Sequence, residues 1–177
     1  MKCGALIVLV CILSVCVSGC KRMETARQSD GAIDPVRGHL LHALPKLPTI
    51  KLFVAEQELI AEIARAPVEI ATGMMFRTNL LETEGMLFVF PVPGPKNFYA
   101  RNCLIPLSVA YIAPDGTVLQ IVELQPGDEK GVSSWSTNVQ FVLEVRHGWF
   151  DRHGIRPGAI VRTEKGTLLK TFFDANP

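Results

Sequence analysis

The chain has 177 residues, 18 basic and 17 acidic, for a formal net charge of +1, and 48% of its residues are hydrophobic. A balance this even, with no block of like charge after Thr49, excludes the concentrated basic face that nucleic-acid binding requires. No nucleic-acid partner is expected.

The elements begin with Met1-Lys2 and an apolar run from Ala5 to Val17. Its length suits the core of a signal peptide, about 7–15 residues, and falls short of the roughly 20 needed to cross a bilayer. The run ends in Val17-Ser18-Gly19-Cys20. This resembles a bacterial lipobox, a branched residue and two small ones before a cysteine. The resemblance implies cleavage after Gly19 and a diacylglycerol on Cys20. Residues 1–19 are thus expected as a lipoprotein signal and Cys20 as the lipidation site. The membrane is expected as a partner through that lipid. Lys21, where aspartate usually retains such proteins at the inner membrane, points to the periplasmic face of the outer membrane in a cell with two membranes. Cleavage removes Lys2, so 18 basic residues become 17 against 17 acidic, and the mature chain is formally neutral. It also removes Cys3, Cys11 and Cys16. Cys103 is then the single free thiol, and no internal disulfide can form. Its neighbours Leu104, Ile105 and Pro106 predict a buried, inert side chain.

Residues 20–48 hold Gly31, Asp34-Pro35, Gly38, Pro45 and Pro48 without a sustained period. They are expected as a flexible tether carrying a single globular domain over 49–177. Ile50 to Val54 and Leu59 to Ile63 read as strands around a short polar turn. Ala66 to Arg77 reads as a helix, with Pro67 at its start and Glu69 in its first turn. Met86 to Phe90 is apolar throughout, the pattern of a buried strand. Pro91, Pro93 and Pro95 predict a loop after it. Leu107 to Ile112 and Thr117 to Leu124 flank Pro114-Asp115-Gly116, a hairpin with turn residues at its tip. A long polar loop runs from Gln125 to Asn138. Val139 to Val145 is a further strand, and His147 to His153 gives one or two helical turns. Ala159 to Thr163 and Thr167 to Phe173 are expected as a last hairpin. The expected fold is mainly β (α+β): a small domain of antiparallel strands, possibly barrel-like, with two short helices. It is expected to be monomeric.

Four segments carry a family resemblance, in order along the chain: Gly73-Met74-Met75-Phe76-Arg77, then Gly85 to Phe90, then Asn102 with Ile105-Pro106-Leu107, then Val142-Leu143-Glu144. Together they resemble the bacterial and archaeal family called domain of unknown function 192, over roughly Ile50 to Val161. The resemblance implies a small, mostly β domain, often exported, with no established reaction. The family usually has Trp-Met-Lys-Asn where this chain has Tyr99-Ala100-Arg101-Asn102, and an aspartate where this chain has Ser108. Arg77, Asn102 and Glu144 match the family and are the candidate site residues.

Two arrangements fit those three. They converge as a ligand site, arginine for an anion, asparagine for paired hydrogen bonds and glutamate for a hydroxyl or cation. Alternatively, Arg77 and Glu144 form a buried ion pair and Asn102 caps a turn. Tyr99 and Trp135 are candidate ring-stacking residues, with Trp135 either exposed for a partner or folded onto the core. No cofactor, metal site or catalytic residue is assigned. Glu144, His147, Asp151 and His153 match no metal-ligand spacing, and no nucleophile turn or phosphate loop occurs. Two functions follow. The first is a lipid-anchored envelope domain that binds a small polar ligand, a glycan or an envelope partner. The second is an envelope hydrolase or transferase using Glu144 or Asp128 as general acid or base.

Overall fold

The computed structural model describes residues 32–174; the signal segment and Cys20 lie outside the described residues. Strands β1 (Thr49–Val54) and β2 (Gln57–Ala64) form a hairpin in the register Val54 to Gln57. Its two-residue loop places Ala55 at φ 50°, the positive φ that such tight hairpins demand. Helix α1 (Pro67–Thr72) and a turn-rich stretch then carry the chain to β3 (Glu84–Gly94). β3 lies parallel to β2, with Ala64 beside Phe88. The sheet is therefore mixed and not wholly antiparallel as expected. Parallel neighbours need a crossover of a dozen or more residues, and α1 with the turns after it supplies one.

Next come β4 (Asn97–Phe98), the hairpin of β5 (Leu107–Ile112) and β6 (Val118–Leu124), β7 (Val132–Ser133) and β8 (Val139–Arg146). β4 and β7 pair as a small separate sheet. Helix α2 (Trp149–Arg152), β9 (Val161–Thr163), β10 (Gly166–Thr167) and helix α3 (Leu168–Phe172) complete the order. The main sheet runs β10-β9-β1-β2-β3-β8-β5-β6. Its ladder does not close into a barrel, but it curls. Thr117 bridges to Ile160, and Val118 N donates to Ala159 O at 2.8 Å. The chain ahead of β9 thus reaches the start of the far edge strand. Gly116 permits this approach, since a β-carbon there would stand 2.4 Å from Val161 O.

Both faces of the sheet are covered. On one face Leu52, Leu87, Phe141 and Leu143 pack with Trp149, Phe150 and Leu168. On the other, Met86, Phe88, Val109, Tyr111 and Val142 pack beneath Met74 and Met75. β8 sits between β3 and β5, and every residue from Val139 to Val145 is buried. Both faces of a central strand meet protein, so its sequence is apolar at nearly every position.

Three expectations are corrected here. Thr167 to Phe173 turns into a helix and not a strand: the Thr167 hydroxyl accepts from Lys170 N at 3.1 Å and caps it. That makes three short helices where two were expected. β3 also continues through Pro91 and Pro93 to Gly94, where the register with β8 shifts. Those prolines are exposed and sit at the irregularity, where a missing N–H breaks no ladder. Finally, residues 39–47, expected within the flexible tether, lie on the domain. Leu44, Leu47 and His39 are buried, and Leu40 N donates to the Thr72 hydroxyl at 2.9 Å. Apolar side chains in a nominal linker found an apolar surface to cover.

Candidate functional site

The site starts from one polar residue in the middle of an apolar strand. Glu144 on β8 stands opposite Met86 on β3 and Val109 on β5. Its side chain shares the face of Val142 two residues earlier, by the alternation of a strand. It is only 3% exposed, and its Oε2 has no hydrogen-bond partner among the described residues. Burial lifts its carboxyl from the ordinary 4.5 to about 8. The Cys103 thiol and Tyr111 phenol beside it are each pushed up to about 12, chiefly by burial, with the Glu144 charge adding to it. Cys103 is a buried free cysteine with no thiolate character at neutral pH.

Above Glu144 lies the end of α1. Pro67 opens that helix, and Glu69 Oε2 accepts from the backbone N–H groups of Arg65 and Ala66 at 2.8 Å each. Gly73 closes it, donating to Glu69 O at 2.8 Å. Its φ of 48° and ψ of −130° suit glycine alone, and the chain then turns across the sheet. Between this turn, β3, β8 and the 95–103 segment lies a cavity of about 260 Å³. Phe88, Phe90, Phe98 and Tyr99 supply its rings, and Lys96 and Glu144 its charged groups. Phe98 meets Phe88 edge-to-face at 4.9 Å between ring centroids, which fixes the wall. The Lys96 ammonium lies 4.4 Å from the Phe90 ring centre and donates to Gly94 O at 3.2 Å. Partial burial depresses its basicity.

Of the residues expected at the site, Glu144 and Tyr99 line this cavity. Asn102 is a neighbour with a different task. It adopts φ 55°, its carbonyl accepts from Phe76 N at 2.8 Å, and its amide lies 3.9 Å from Met75 Sδ. It ties the 73–77 turn to the 95–103 segment. Arg77 does not join Glu144. It pairs with Glu62 at 2.9 Å and stands outside the cavity lining. Trp135 is 84% exposed and also stands outside it, on a loop whose Ser134 N donates to Lys96 O at 2.8 Å. Asp128 spends its carboxylate on Lys130 N and Gly131 N at 3.0 and 3.2 Å. His147, His153 and Asp151 face Glu123, Glu82 and Arg156 respectively. Ser108 lies away from the cavity, donating to Glu123 and accepting from Gly148 N at 2.7 Å. The departure from the family pattern at that position therefore leaves the cavity untouched. Lys96 and Phe98 carried no motif in the sequence; a lone lysine inside a proline-rich stretch was the available signal.

The fold and cavity define a small mixed-sheet β domain with a buried acid facing an aromatic-walled pocket. Residues 50–163 match the uncharacterized family known as domain of unknown function 192, described as Uncharacterized ACR, and the chain belongs to it. Two solved structures are similar. One is a protein of Sinorhizobium meliloti assigned provisionally as a transcription regulator. It is 28% identical with a TM-score of 0.63, over 68% of this chain and 98% of that one. The other is a protein of unknown function from Novosphingobium aromaticivorans. It is 31% identical with a TM-score of 0.59, over 74% of this chain and 91% of that one. No curated protein gives a significant match.

Proposed function

We propose that this protein is a lipid-anchored domain of the cell envelope that binds a small ligand in the cavity over Glu144. The observation that carries this reading is the Glu144 Oε2 atom, buried without a partner among the described residues in the wall of a ring-lined cavity. A buried acceptor left unsatisfied costs about 1–3 kcal/mol, so a site that retains one is suited to a ligand that satisfies it. At about 30 Å³ per water, a cavity of about 260 Å³ has room for a ligand of one ring and its substituents. A monosaccharide unit of an envelope glycan fits that size. The lipobox at Val17 to Cys20 supports the envelope setting.

The enzymatic alternative requires a second acid near Glu144 for general acid–base work. Among the described residues Glu144 is the one carboxylate lining the cavity, and Asp128 is committed to its own turn. Ligand binding is therefore the reading the geometry supports best. The near-even charge after Thr49 weighs against a regulator that binds nucleic acid.

The test is a thermal-shift screen of the full-length protein in detergent against cell-wall fragments and simple sugars. A ligand at a hundred times its Kd stabilises by about 2.7 kcal/mol, and Glu144→Leu is expected to abolish the shift. A shift of the same size in Glu144→Leu would remove the cavity from the account, as would a screen in which nothing stabilises the wild type.

A further inference from the structure

The cavity lining holds two charged side chains that do not pair with each other. Glu144 at the floor is buried, and Lys96 is half-buried towards solvent. They form no ion pair, and no carboxylate lies within 4.0 Å of the Lys96 ammonium among the described residues. An ammonium has three donors, and the ammonium of Lys96 gives one to Gly94 O. Around the two the walls are Phe88, Phe98, Tyr99 and Met74, apolar faces with no charge to match. A cation in this cavity is repelled by the Lys96 ammonium. An anion placed at the floor is repelled by the Glu144 carboxylate and meets a single donor, the O–H, when Glu144 is the acid. A hydroxyl at the floor fits either form of Glu144, donating to the carboxylate and accepting from the acid. An anionic group fits at Lys96, where partial desolvation strengthens the attraction.

We infer that the ligand is a small ring compound carrying a hydroxyl at one end and a carboxylate at the other, with the hydroxyl at Glu144, the carboxylate at Lys96 and the ring between the aromatic walls. This rests on the binding reading above and narrows it from a small polar ligand to a hydroxylated ring acid. Two sources share that chemistry, a sugar acid and a hydroxylated aromatic acid. Both present an apolar ring face to Phe98 and Tyr99.

The experiment is equilibrium dialysis of the full-length protein in detergent micelles, corrected against empty micelles. The probes are glucuronate and 4-hydroxybenzoate, each beside its neutral counterpart, methyl glucoside and 4-hydroxybenzyl alcohol. At least one acid is expected to bind ten-fold or more tighter than its neutral partner, and which one does so names the source. Lys96→Gln is expected to bring that acid down to the level of the neutral compound. Lys96→Arg is expected to keep the preference, and thermal midpoints check that both variants fold. Equal binding of acid and neutral partner by the wild type overturns the hydroxy-acid inference alone, as does a preference that survives Lys96→Gln. No binding of any of the four probes overturns it together with the ring-ligand reading of the cavity.

Discussion

Gly73 lies directly over Glu144. A β-carbon at Gly73 would stand 3.8 Å from Glu144 Oε2 and 3.0 Å from the Phe88 ring. The one residue type that fits the backbone there is also the one that leaves the space above the carboxyl open. Gly73→Ala forces an L residue to φ 48° and ψ −130°. Strain of that kind costs about 1–3 kcal/mol, and the methyl group presses on Phe88. The variant is expected to lose stability by that amount in urea unfolding and to bind any cavity ligand at least ten-fold more weakly. Unchanged binding would show that the ligand does not pass between Gly73 and Glu144.

Glu144 makes stability depend on pH in a predictable direction. Its carboxyl titrates at about 8 when folded and near the ordinary 4.5 when unfolded. The folded state therefore holds the proton more tightly between those values. The stability this lends is full below about pH 4.5, falls as pH rises, and is gone above about pH 8. At 1.36 kcal/mol per pH unit the full extent is on the order of 5 kcal/mol. The other titratable groups around it are Cys103 and Tyr111, each near 12 and silent in this window, and Lys96 and Tyr99 in the cavity lining. Glu144→Gln is expected to flatten the decline in thermal midpoint between pH 5 and pH 8. A decline equally steep in the variant would assign the slope to other groups.

Much of this arrangement was legible in the sequence, and the parts that were not have a common cause. The strands around Pro114-Asp115-Gly116 and the apolar runs at Met86 and Val139 follow from local pattern, and the structure places them so. The parallel pairing of β2 and β3 is set by where α1 packs, which no local pattern records. The prolines of β3 read as loop because a ladder's tolerance for a missing N–H depends on its partner strand. At the site, Glu144 was legible because an acid amid Val142, Leu143 and Val145 is out of place. Which acid Arg77 meets is not legible, because no local pattern records a distance across the fold. The arginine found Glu62, two strands away from Glu144 in the sheet. Lys96 was invisible because a lysine between prolines reads as exposed until the aromatic ring beneath it is known.

Arg77 and Glu62 are predicted to be structural partners with no part in binding. Their side chains are 20% and 12% exposed, and Glu62 Oε2 also accepts from Leu47 N at 2.8 Å. Removing the guanidinium leaves a largely buried carboxylate with one backbone donor. The cost for Arg77→Ala is expected to be on the order of 3 kcal/mol. Glu62→Gln combined with Arg77→Ala should recover part of it, because the stranded charge is gone. Ligand affinity should stay within two-fold of wild type at a temperature where the variant is folded. A ten-fold loss of affinity with little loss of stability would return Arg77 to the site.

The envelope setting has its own test at Cys20. Cys20→Ala removes the thiol that would take the lipid, so the variant should keep its unprocessed mass and lose its acyl chains. Two or more chains are needed for stable anchoring, and one cysteine carries all of them in this arrangement. The variant's behaviour in detergent partition should then differ from that of the wild type. Intact masses that differ only by the sulfur lost in Cys20→Ala, with identical partition for both proteins, would mean that no lipid is attached there.

The segment ahead of β1 is predicted to act on the cavity through α1. Leu44 and Leu47 are 6% and 9% exposed, and Leu40 N donates to Thr72 on α1 at 2.9 Å. Leu47 N is also held by Glu62, which in turn holds Arg77 just past the turn. The strap thus contacts a helix whose last turn, Ile70 to Gly73, forms one wall of the cavity. A chain beginning at Thr49 loses the burial of both leucines, each worth about 1.5–3 kcal/mol, and uncovers Thr72. Compared with a chain beginning at Ala32, it should unfold at a lower urea concentration by an amount equivalent to about 3–6 kcal/mol. It should also exchange the amide protons of α1 faster, with those of β8 speeding up only as far as the loss in global stability requires. Equal midpoints and equal α1 exchange would make residues 32–48 a passive tether after all. A lower midpoint with faster α1 exchange would make the domain's functional boundary Ala32, and would mean that whatever pulls on the tether also pulls on a wall of the cavity.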